Sequence, residues 1–548
     1  MNFDWTNPYP STRTPVFARN VVATSQPLAA QAGLHMLRRG GNAVDAAIAA
    51  AAVIAQTEPC SNGLGSDNFA IVWDGTRLHG MNSSGFAPAA WSLDYFRRKY
   101  GTDAAGTIAK ESRPARGWDT VTVPGAVAGW ALLHSRFGEL PFADALAPAI
   151  EYAERGFAVS AIVSDTWQRA APILQDIPGF AEHFLPRGRA PNIGERFVLP
   201  GAARTLKLVA HSRGEAFYRG EIAAAIEKFA RDTGGAITAA DMAAYWDFVR
   251  DNAWVSTIST RFAGHELHEI PPNGQGIAAL ACLGILRHTS LADLAVDSAD
   301  WQHVMIEAMK LAFADTYEYV ADSRTMRVTA AQMLDDGYLK ERARRIDMRR
   351  AQLVAAGSPP RGGTIYLSAA DERGMMVSFI QSNYMGFGSG LVVPGYGISL
   401  QNRGHNFSLD PSSANCVRPR HRPFHTIAPA FLTKDGAPQM AFGVMGGNMQ
   451  PQGHVQTLVR ILLGRQQPQA ACDAPRWKWD SGLKVDLEPT MPLAVREELS
   501  RRGHAIAHIE DSYLDCGAGQ FTWRLGDPAV EGYVAASDSR RDGLAAGF

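Results

Sequence analysis

The stretch GGTIYLSAADERGMMVSFIQSN, residues 362–383, decides how this chain folds. Two β-prone runs, TIYLSAAD and GMMVSFIQSN, are separated by the turn residues Glu372-Arg373-Gly374, a pattern that predicts two consecutive strands. The Pro/Gly-rich stretch AAGSPPRGG, residues 355–363, precedes them and is typical of a mobile loop. Gly363-Thr364 therefore stands where a flexible loop meets the first residue of a strand.

The Gly363-Thr364 junction has the residues that one specific reaction, self-cleavage of the chain, requires. In an N-terminal-nucleophile hydrolase, a Thr hydroxyl attacks the carbonyl before it, the peptide bond breaks, and the Thr gains a free α-amine. That amine, with an ordinary pKa of about 7.7–8.0, then serves as the base for its own hydroxyl. Because a Gly-Thr dipeptide alone is more often a plain turn, the prediction for Thr364 depends on the rest of the chain.

Composition restricts the class of protein. The chain has 548 residues, with 53 Lys+Arg against 54 Asp+Glu and a net charge of −1, so we expect neither nucleic acid nor a membrane surface as partner. The longest apolar run, residues 46–55, is shorter than the roughly 20 residues that span a bilayer. We expect no secretory signal, and five scattered cysteines favour neither disulfides nor a zinc site. We expect a cytoplasmic protein.

Periodicity and turn residues predict helices in the first two-thirds of the chain and strands in the last third. The predicted helices are residues 43–56 capped by Asn42, two helices within residues 124–155 that break at Gly138, and residues 301–320. Asp74-Gly75 and Asp435-Gly436 each separate two β-prone runs, as expected of hairpin turns. The fold class predicted is α+β.

Several long motifs occur in a fixed order: GGNAVDAAIAAAAVIAQTEPCSNGLGSDNFAIVWDG, VPGAVAGWALLHSRFGELPFADALAPAIEYAERGF, HVMIEAMKLAFAD, GGTIYLSAAD and FGSGLVVPGYGISLQN. Together they resemble the γ-glutamyltransferase (glutathione hydrolase) family over about residues 17–525. The resemblance implies a four-layer αββα sandwich of the N-terminal-nucleophile hydrolase type, made as one precursor. Cleavage between Gly363 and Thr364 would give a helix-rich large segment, 1–363, and a β-rich small segment, 364–548, which stay together as a heterodimer.

The same resemblance assigns the catalytic groups. Thr364 matches the family nucleophile, and Gly446-Gly447 match the glycine pair that supplies oxyanion donors. Glycine suits this position because only backbone N–H groups then face the developing charge. Ser382 matches a second Thr that orients the nucleophile, and serine keeps the required hydroxyl.

The match fails at the positions that read a γ-glutamyl group. Ser84 stands where the family has an Arg for the α-carboxylate, and Arg403 and Asn406 stand where acidic or amide residues hold the α-amine. His425-Thr426 replace a serine pair that helps to bind the carboxylate, and Tyr384 replaces an Asn. An ammonium group near Arg403 would meet repulsion, so we expect weak turnover of γ-glutamyl compounds.

Three functions follow as alternatives. The resemblance implies hydrolysis or transfer of γ-glutamyl groups through an acyl-enzyme on Thr364. A second possibility is an acylase for amides whose acyl group ends in a carboxylate without an α-amine, such as glutaryl, received by Arg403. The third is an unprocessed, non-catalytic homologue that acts as a binding protein.

We expect no metal and no cofactor, and the expected ligand is a small-molecule amide or γ-glutamyl substrate. His405, His421, His425 and His454 lack the spacing of a metal site. His303 and Glu307, four residues apart on a predicted helix, are interpreted as a hydrogen-bonded helix pair.

Overall fold

The computed structural model describes residue 9 and residues 13–103, 106, 108, 113–354, 363–509 and 515–548. Residues 355–362 of the predicted loop 355–363 lie outside these residues, and Gly363 is the first residue described after them. Among the described helices, none is long and apolar enough to cross a membrane.

Two antiparallel seven-stranded sheets form the centre of the molecule. The first sheet has the order β21 (Leu544–Gly547), β2 (Val21–Thr24), β10 (Gly363–Ala370), β11 (Met376–Tyr384), β3 (Asp67–Trp73), β4 (Leu78–Ser83) and β7 (Trp254–Val255). The second has the order β1 (Val16–Ala18), β20 (Tyr533–Ser537), β19 (Ala518–Arg524), β15 (Ala437–Met445), β14 (Ala430–Lys434), β9 (His265–Glu269) and β8 (Ile258–Phe262).

Short sheets complete the strands. They are the pairs β5 (Phe157–Ala158) with β6 (Arg196–Phe197) and β12 (Val392–Val393) with β13 (Ile398–Ser399), and the three strands β16 (Trp477–Ser481), β17 (Lys484–Leu487) and β18 (Ala505–His508).

One set of helices covers the outer face of the first sheet. Its members are α1 (Pro27–Arg38), α2 (Ala43–Thr57), α4 (Ala126–Phe137), α5 (Phe142–Arg155), α6 (Ala161–Leu174), α7 (Phe180–Phe184), α8 (Pro200–Ser212), α9 (Glu215–Tyr218), α10 (Glu221–Thr233) and α11 (Ala239–Asn252), with α3 (Leu93–Tyr100) in a smaller cluster. Every residue of α2 is buried, because its alanines allow close approach on all sides.

The outer face of the second sheet carries the remaining helices. They are α12 (Ile277–Leu286), α13 (Ala299–Tyr319), α14 (Ala330–Met333), α15 (Asp336–Ala343), α16 (Met449–Leu462), α17 (Pro468–Asp473) and α18 (Leu493–Arg501). Between the two sheets lies a separate apolar core that includes Phe69, Ile71, Tyr366, Phe431 and Ala441. Helix, sheet, sheet and helix thus form the predicted four-layer αββα sandwich.

The predicted elements are confirmed where the sequence carries clear turn and cap signals. Asn42 caps α2 with a full capping box, and both predicted hairpins form, β3–β4 across Asp74-Gly75 and β14–β15 across Asp435-Gly436. The two runs of the opening stretch pair as β10 and β11. Each large sheet contains strands from both predicted segments, so the segments interleave within one sandwich.

Candidate active site

Thr364 is the second residue of β10, and its side chain is only 1% exposed. Its Oγ1–H donates to Ser382 Oγ at 3.1 Å, and Ser382 Oγ–H donates to the carbonyl oxygen of Gly363 at 2.7 Å. The N–H of Tyr384 donates to the same Ser382 oxygen at 2.8 Å. Ser382 therefore contacts the hydroxyl that it was expected to orient, and it also contacts the carbonyl of the Gly363–Thr364 bond.

An irregularity in the strand pairing creates this geometry. Gly363 pairs with Tyr384 but Ile365 pairs with Gln381, so β11 has one extra residue opposite Thr364. Tyr384 takes up the distortion with a φ of 79°, in the left-handed region that side chains rarely adopt. The bulge turns the Ser382 hydroxyl toward the Gly363–Thr364 peptide bond.

The predicted oxyanion glycines lie between the end of β15 and the start of α16. Gly446 has φ 124° and Gly447 has φ 60°, so a side chain at either position would be strained. Within the described part of the chain, neither amide N–H donates a hydrogen bond. Two free N–H groups just before a helix are suited to stabilising negative charge, because the N-terminal end of a helix is electropositive.

Gln275, a residue that the sequence did not single out, connects these glycines to the predicted substrate-binding residues. Its Nε2 donates to the carbonyl of Gly447 at 2.8 Å and to the carbonyl of Thr426 at 2.5 Å. The Thr426 hydroxyl in turn accepts a 2.6 Å hydrogen bond from Nη1 of Arg403. These bonds join the glycine pair, Thr426 and Arg403 in one connected set.

Arg403 is fully buried, and its guanidinium lies 4.8 Å from the centre of the Tyr384 ring. Its Nε and Nη2, adjacent donors on one edge of the guanidinium, have no hydrogen-bond partner among the described residues. No carboxylate in the same residues lies within ion-pair distance of it. Burial lowers the pKa of Arg403 to about 10, so the group remains charged at neutral pH. This unpaired edge has the geometry that binds a carboxylate bidentately.

Asp67, at the start of β3, is the buried acid whose charge acts on Arg403. Its Oδ2 accepts a 3.1 Å hydrogen bond from His425 Nε2, and its Oδ1 accepts the N–H groups of Gly85 and Gly125 at 3.1 and 2.9 Å. Burial raises the pKa of Asp67 to about 7, with Arg403 opposing the shift. We name Arg403, Thr426, Tyr384, Asp67 and His425 the Arg403 cluster.

Ser84 and Asn406, two other predicted substrate-binding residues, differ in their position relative to Arg403. The Ser84 hydroxyl donates to Asn82 Oδ1 at 2.7 Å and accepts from Asn273 Nδ2 at 3.3 Å, so its partners are Asn82 and Asn273 rather than Arg403. Asn406 closes the single helical turn that begins at Arg403, and its Nδ2 is buried without a partner among the described residues. Asn406 thus remains near Arg403, whereas the structure does not bring Ser84 into contact with it.

Sequence reasoning missed Asp67, Gln275 and Arg113. Arg113 donates to the carbonyls of Gly404, His405 and Phe407 and so holds the turn that carries Arg403. The only sequence signal was for Asp67, an acidic residue at the end of the glycine-rich stretch SNGLGSD and directly before a buried strand. Gln275 and Arg113 donate to backbone carbonyls of segments far away in the sequence, and such contacts leave no local sequence pattern.

A second buried polar cluster lies on α13; we name His303, Glu307, Lys310 and His504 the Lys310 cluster. His303 and His504 join through Nδ1 and Nε2 at 2.8 Å, and His303 Nε2 lies 2.9 Å from the carbonyl oxygen of Asp347. Because a carbonyl only accepts, His303 Nε2 carries a proton and its Nδ1 accepts the Nε2–H of His504. The predicted bond between His303 and Glu307 is wrong, since their partners are other residues.

Lys310 completes this second cluster. Its ammonium donates to Glu307 Oε1 at 2.7 Å, to the carbonyl of Gln352 at 3.3 Å and to His504 Nδ1 at 3.5 Å. The other Glu307 oxygen accepts the N–H of Gln352 at 3.2 Å. The ligand atoms of His303, Glu307 and His504 lie within 4.8 Å of one another, but each imidazole lone pair already accepts a hydrogen bond. The geometry is that of a closed hydrogen-bond network.

Comparison with known proteins gives consistent results over the full length. The gamma-glutamyltranspeptidase family model matches residues 29–548. A crystal structure of cephalosporin acylase from Bacillus halodurans superposes with a TM-score of 0.91 at 45% identity, covering 100% of this chain and 99% of that one. The glutathione hydrolase-like YwrD proenzyme of Bacillus subtilis (strain 168) is 33% identical, over 97% of this chain and 98% of its own. The oxamate amidohydrolase proenzyme of Klebsiella pneumoniae is 34% identical, over 95% and 97%.

Proposed function

The chain belongs to the gamma-glutamyltranspeptidase family, and on that premise we propose that it is an N-terminal-threonine amidohydrolase for amides whose acyl group ends in a carboxylate and lacks an α-amine. One observation carries the proposal: Arg403 is a fully buried cation whose Nε and Nη2 have no hydrogen-bond partner among the described residues. A buried charge without a partner is costly, so a substrate carboxylate is its natural complement.

The proposed first reaction is self-cleavage between Gly363 and Thr364, giving the segments 1–363 and 364–548. Thr364 Oγ1 attacks the Gly363 carbonyl carbon, the C–N bond breaks, and the nitrogen gains the hydroxyl proton. Water then hydrolyses the resulting ester and leaves a Gly363 carboxylate and a free Thr364 α-amine. The 2.7 Å bond from Ser382 Oγ–H to the Gly363 carbonyl supports this step, because it stabilises the charge that develops on that oxygen.

Turnover then uses the new α-amine as the base. It removes the proton from Thr364 Oγ1, which attacks the acyl carbon of the substrate, while the N–H groups of Gly446 and Gly447 hold the oxyanion. The protonated amine returns its proton to the leaving amine as the C–N bond breaks. Water, activated by the same amine, hydrolyses the acyl-enzyme and releases the acid.

Selectivity for a carboxylate-ended acyl group follows from the charges around Arg403. Its Nε and Nη2 can grip both carboxylate oxygens, while Thr426 holds the opposite edge at 2.6 Å. A γ-glutamyl group would add an ammonium beside this cation, and Asp67, the acid whose charge acts on Arg403, already accepts three hydrogen bonds. The family relation to an oxamate amidohydrolase and a cephalosporin acylase is in line with a preference other than γ-glutamyl.

The test compares three p-nitroanilides that share one leaving group: glutaryl, γ-glutamyl and the uncharged butyryl. We expect the largest kcat/KM for glutaryl. Arg403→Met should lower kcat/KM for glutaryl by about 2–5 kcal/mol, roughly 30- to 5,000-fold, because it truncates a buried charge pair, and should leave butyryl nearly unchanged. Faster turnover of γ-glutamyl than glutaryl, or equal loss on all three substrates, would contradict the proposal.

A further inference from the structure

Gln275 contacts the proposed oxyanion loop through a single side-chain atom. Its Nε2 donates to the carbonyl oxygens of Gly447 and Thr426 at 2.8 and 2.5 Å, and its side chain is fully buried. Because a carbonyl oxygen only accepts, both contacts require the amide nitrogen, which fixes the orientation of the amide. Gln275 thus uses both of its N–H donors on backbone segments that carry residues of the site.

The Gly446-Gly447 pair needs support from outside the loop. Glycine has the widest choice of backbone conformations, so its N–H group points in one direction only where the neighbouring peptide planes are fixed. The N–H of Gly446 lies in the same peptide plane as the carbonyl of Met445, the last residue of β15, which pairs with Ala518 in the sheet. Gly447 lies one residue beyond, so its N–H depends on the planes on either side of its own Cα.

Hydrogen bonds to two carbonyls fix these planes. The N–H of Met449 donates to the carbonyl of Gly446 at 3.0 Å, and that carbonyl shares a peptide plane with the N–H of Gly447. The carbonyl of Gly447, in the next plane, accepts the N–H of Gln450 at 3.2 Å and the shorter bond from Gln275 at 2.8 Å. Of these three bonds, that from Gln275 comes from a distant segment, and it holds the loop against the body of the protein.

We propose that Gln275 is a positioning residue that aligns the Gly447 N–H for turnover and has no part in self-cleavage. The inference rests on the proposed function, in which the glycine pair holds the substrate oxyanion. Oxyanion donors are most effective when they are aligned before the reaction, so a loop that can rotate loses rate. In self-cleavage the charge develops on the Gly363 carbonyl, which accepts from Ser382 at 2.7 Å. Within the described residues, neither glycine N–H donates to that carbonyl.

The carboxylate site does not depend on the same side chain. The segment that carries Thr426 is held by two backbone bonds at His425, whose N–H donates to the carbonyl of Asn273 and whose carbonyl accepts the N–H of Gln275, both at 2.9 Å. These bonds involve main-chain atoms only, so a substitution of the Gln275 side chain leaves them in place. Thr426 therefore keeps its position beside Arg403, and selectivity for a carboxylate is expected to survive.

The test uses Gln275→Met, which keeps the buried volume close to that of Gln and removes both donors. We expect kcat for glutaryl- and butyryl-p-nitroanilide to fall together by about 10- to 100-fold, less than the roughly 10²–10³-fold cost of an absent donor, because the Gly447 N–H is misdirected rather than removed. The ratio of kcat/KM for glutaryl over butyryl should not change, whereas Arg403→Met lowers it. Self-cleavage, followed by gel electrophoresis, should keep its wild-type rate.

Gln456→Met is the matched control. Gln456 is also buried, and its Nε2 donates to the carbonyls of Gln452 and Trp477 at 3.1 and 2.9 Å, neither of which belongs to the glycine pair. This variant should lose stability without losing kcat. Gln275→Glu keeps the side-chain volume but can donate at most one of the two bonds, so it replaces Gln275→Met if that chain does not fold. It should also slow turnover and not self-cleavage.

A boronic acid gives a second readout that does not depend on a leaving group. 4-Boronobutanoate has the glutaryl chain with boron at the acyl position. Thr364 Oγ1 adds to the boron, an O–B bond forms, the hydroxyl proton passes to the α-amine and nothing leaves, so a boronate oxygen occupies the oxyanion position. Because this adduct mimics the transition state, Gln275→Met should weaken inhibition by about the same factor as it lowers kcat.

The outcomes separate this inference from the proposed function. Unchanged kcat and unchanged boronate inhibition in Gln275→Met, or a loss of kcat matched by equally slow self-cleavage, would overturn the role of Gln275 and leave the proposed function standing. A glutaryl-over-butyryl ratio that does not respond to Arg403→Met would instead overturn the proposed function.

Discussion

The Arg403 cluster and the Lys310 cluster contain the same kinds of side chain but differ in how completely these side chains are hydrogen-bonded. Each places a cation, an acid and a histidine out of contact with solvent. In the Lys310 cluster the ammonium donates to three acceptors and both histidines are satisfied. In the Arg403 cluster two guanidinium donors and the Tyr384 hydroxyl have no partner among the described residues.

This difference distinguishes a buried polar cluster that stabilises the fold from one that is suited to binding a ligand. Buried polar groups are normally hydrogen-bonded, because a buried group without a partner loses its hydrogen bonds to water and gains none in return. The Lys310 cluster obeys this rule and fixes the backbone of Gln352 and Asp347, close to the end of the proposed large segment. Arg403 violates this rule within the described residues, and it does so against Tyr384, whose backbone pairs with Gly363. A buried cation with unsatisfied donors is therefore a better indicator of a ligand site than a group of histidines.

The largest expected effect comes from a substitution in the Lys310 cluster. Lys310→Met leaves Glu307 as an unpaired buried charge, so we expect a loss of about 3–5 kcal/mol in the free energy of unfolding. The same substitution in the Arg403 cluster, Arg403→Met, should cost less, since Arg403 forms no ion pair with any described residue. Urea unfolding of both variants, each in the uncleavable Thr364→Ala chain, gives the comparison.

A rescue experiment identifies the cause of that loss. Glu307→Gln removes the unpaired charge while its amide oxygen can still accept the N–H of Gln352. The Glu307→Gln/Lys310→Met chain should therefore recover part of the stability lost in Lys310→Met. No recovery, or an equal loss in Arg403→Met, would mean that the two clusters do not differ in the way described.

Ser382 offers the next largest effect, on rate rather than stability. Ser382→Ala removes the donor to the Gly363 carbonyl, so we expect self-cleavage to slow by about 10²–10³-fold, the usual cost of one oxyanion donor. Ser382→Thr keeps the hydroxyl and should cleave at close to the wild-type rate. Gel electrophoresis over time measures both; a normal cleavage rate in Ser382→Ala would exclude this role.

The smallest expected effect is a difference in pH dependence. Burial lowers the pKa of His504 to about 2 and also lowers that of His303, so both stay neutral in the folded protein. Below about pH 6.5 the unfolded chain binds protons that the folded chain excludes, and stability falls by about 1.4 kcal/mol per pH unit for each histidine.

Asp67 works in the opposite direction, because its raised pKa means that the folded chain binds the proton first. Its unfavourable contribution is present above about pH 7 and disappears as the pH falls toward its unfolded value of about 4. His504→Gln should reduce the acid loss of stability, whereas Asp67→Asn should stabilise the chain above pH 7. Unfolding curves across pH test both signs, and equal signs would overturn the charge assignments.

Sequence patterns predicted the fold well wherever short-range rules apply. The Asn42 cap, the two Asp-Gly hairpins and the β10–β11 pair are local features, and each lies where its residues indicated. The four layers came from the family resemblance, because no local pattern specifies how two sheets stack.

The site was predictable only in part. Thr364, Ser382 and Gly446-Gly447 follow from motif matches, and the geometry around them suits the roles expected. Hydrogen bonds between residues far apart in the sequence could not be predicted. Asp67 bonds to His425, 358 residues away, and His303 bonds to His504, 201 residues away. The departures from the family pattern at Arg403 and Thr426 were visible in the sequence, but the unpaired edge of Arg403 emerges only in three dimensions.

The most direct measurement is the mass of the freshly purified protein before and after brief incubation with a glutaryl amide. The account predicts two chains that divide between Gly363 and Thr364, with a trapped glutaryl group on the segment that begins TIYLSAAD, and a single unmodified chain in Thr364→Ala. A wild-type chain that stays intact under all conditions, or an acyl group on any residue other than Thr364, would contradict it.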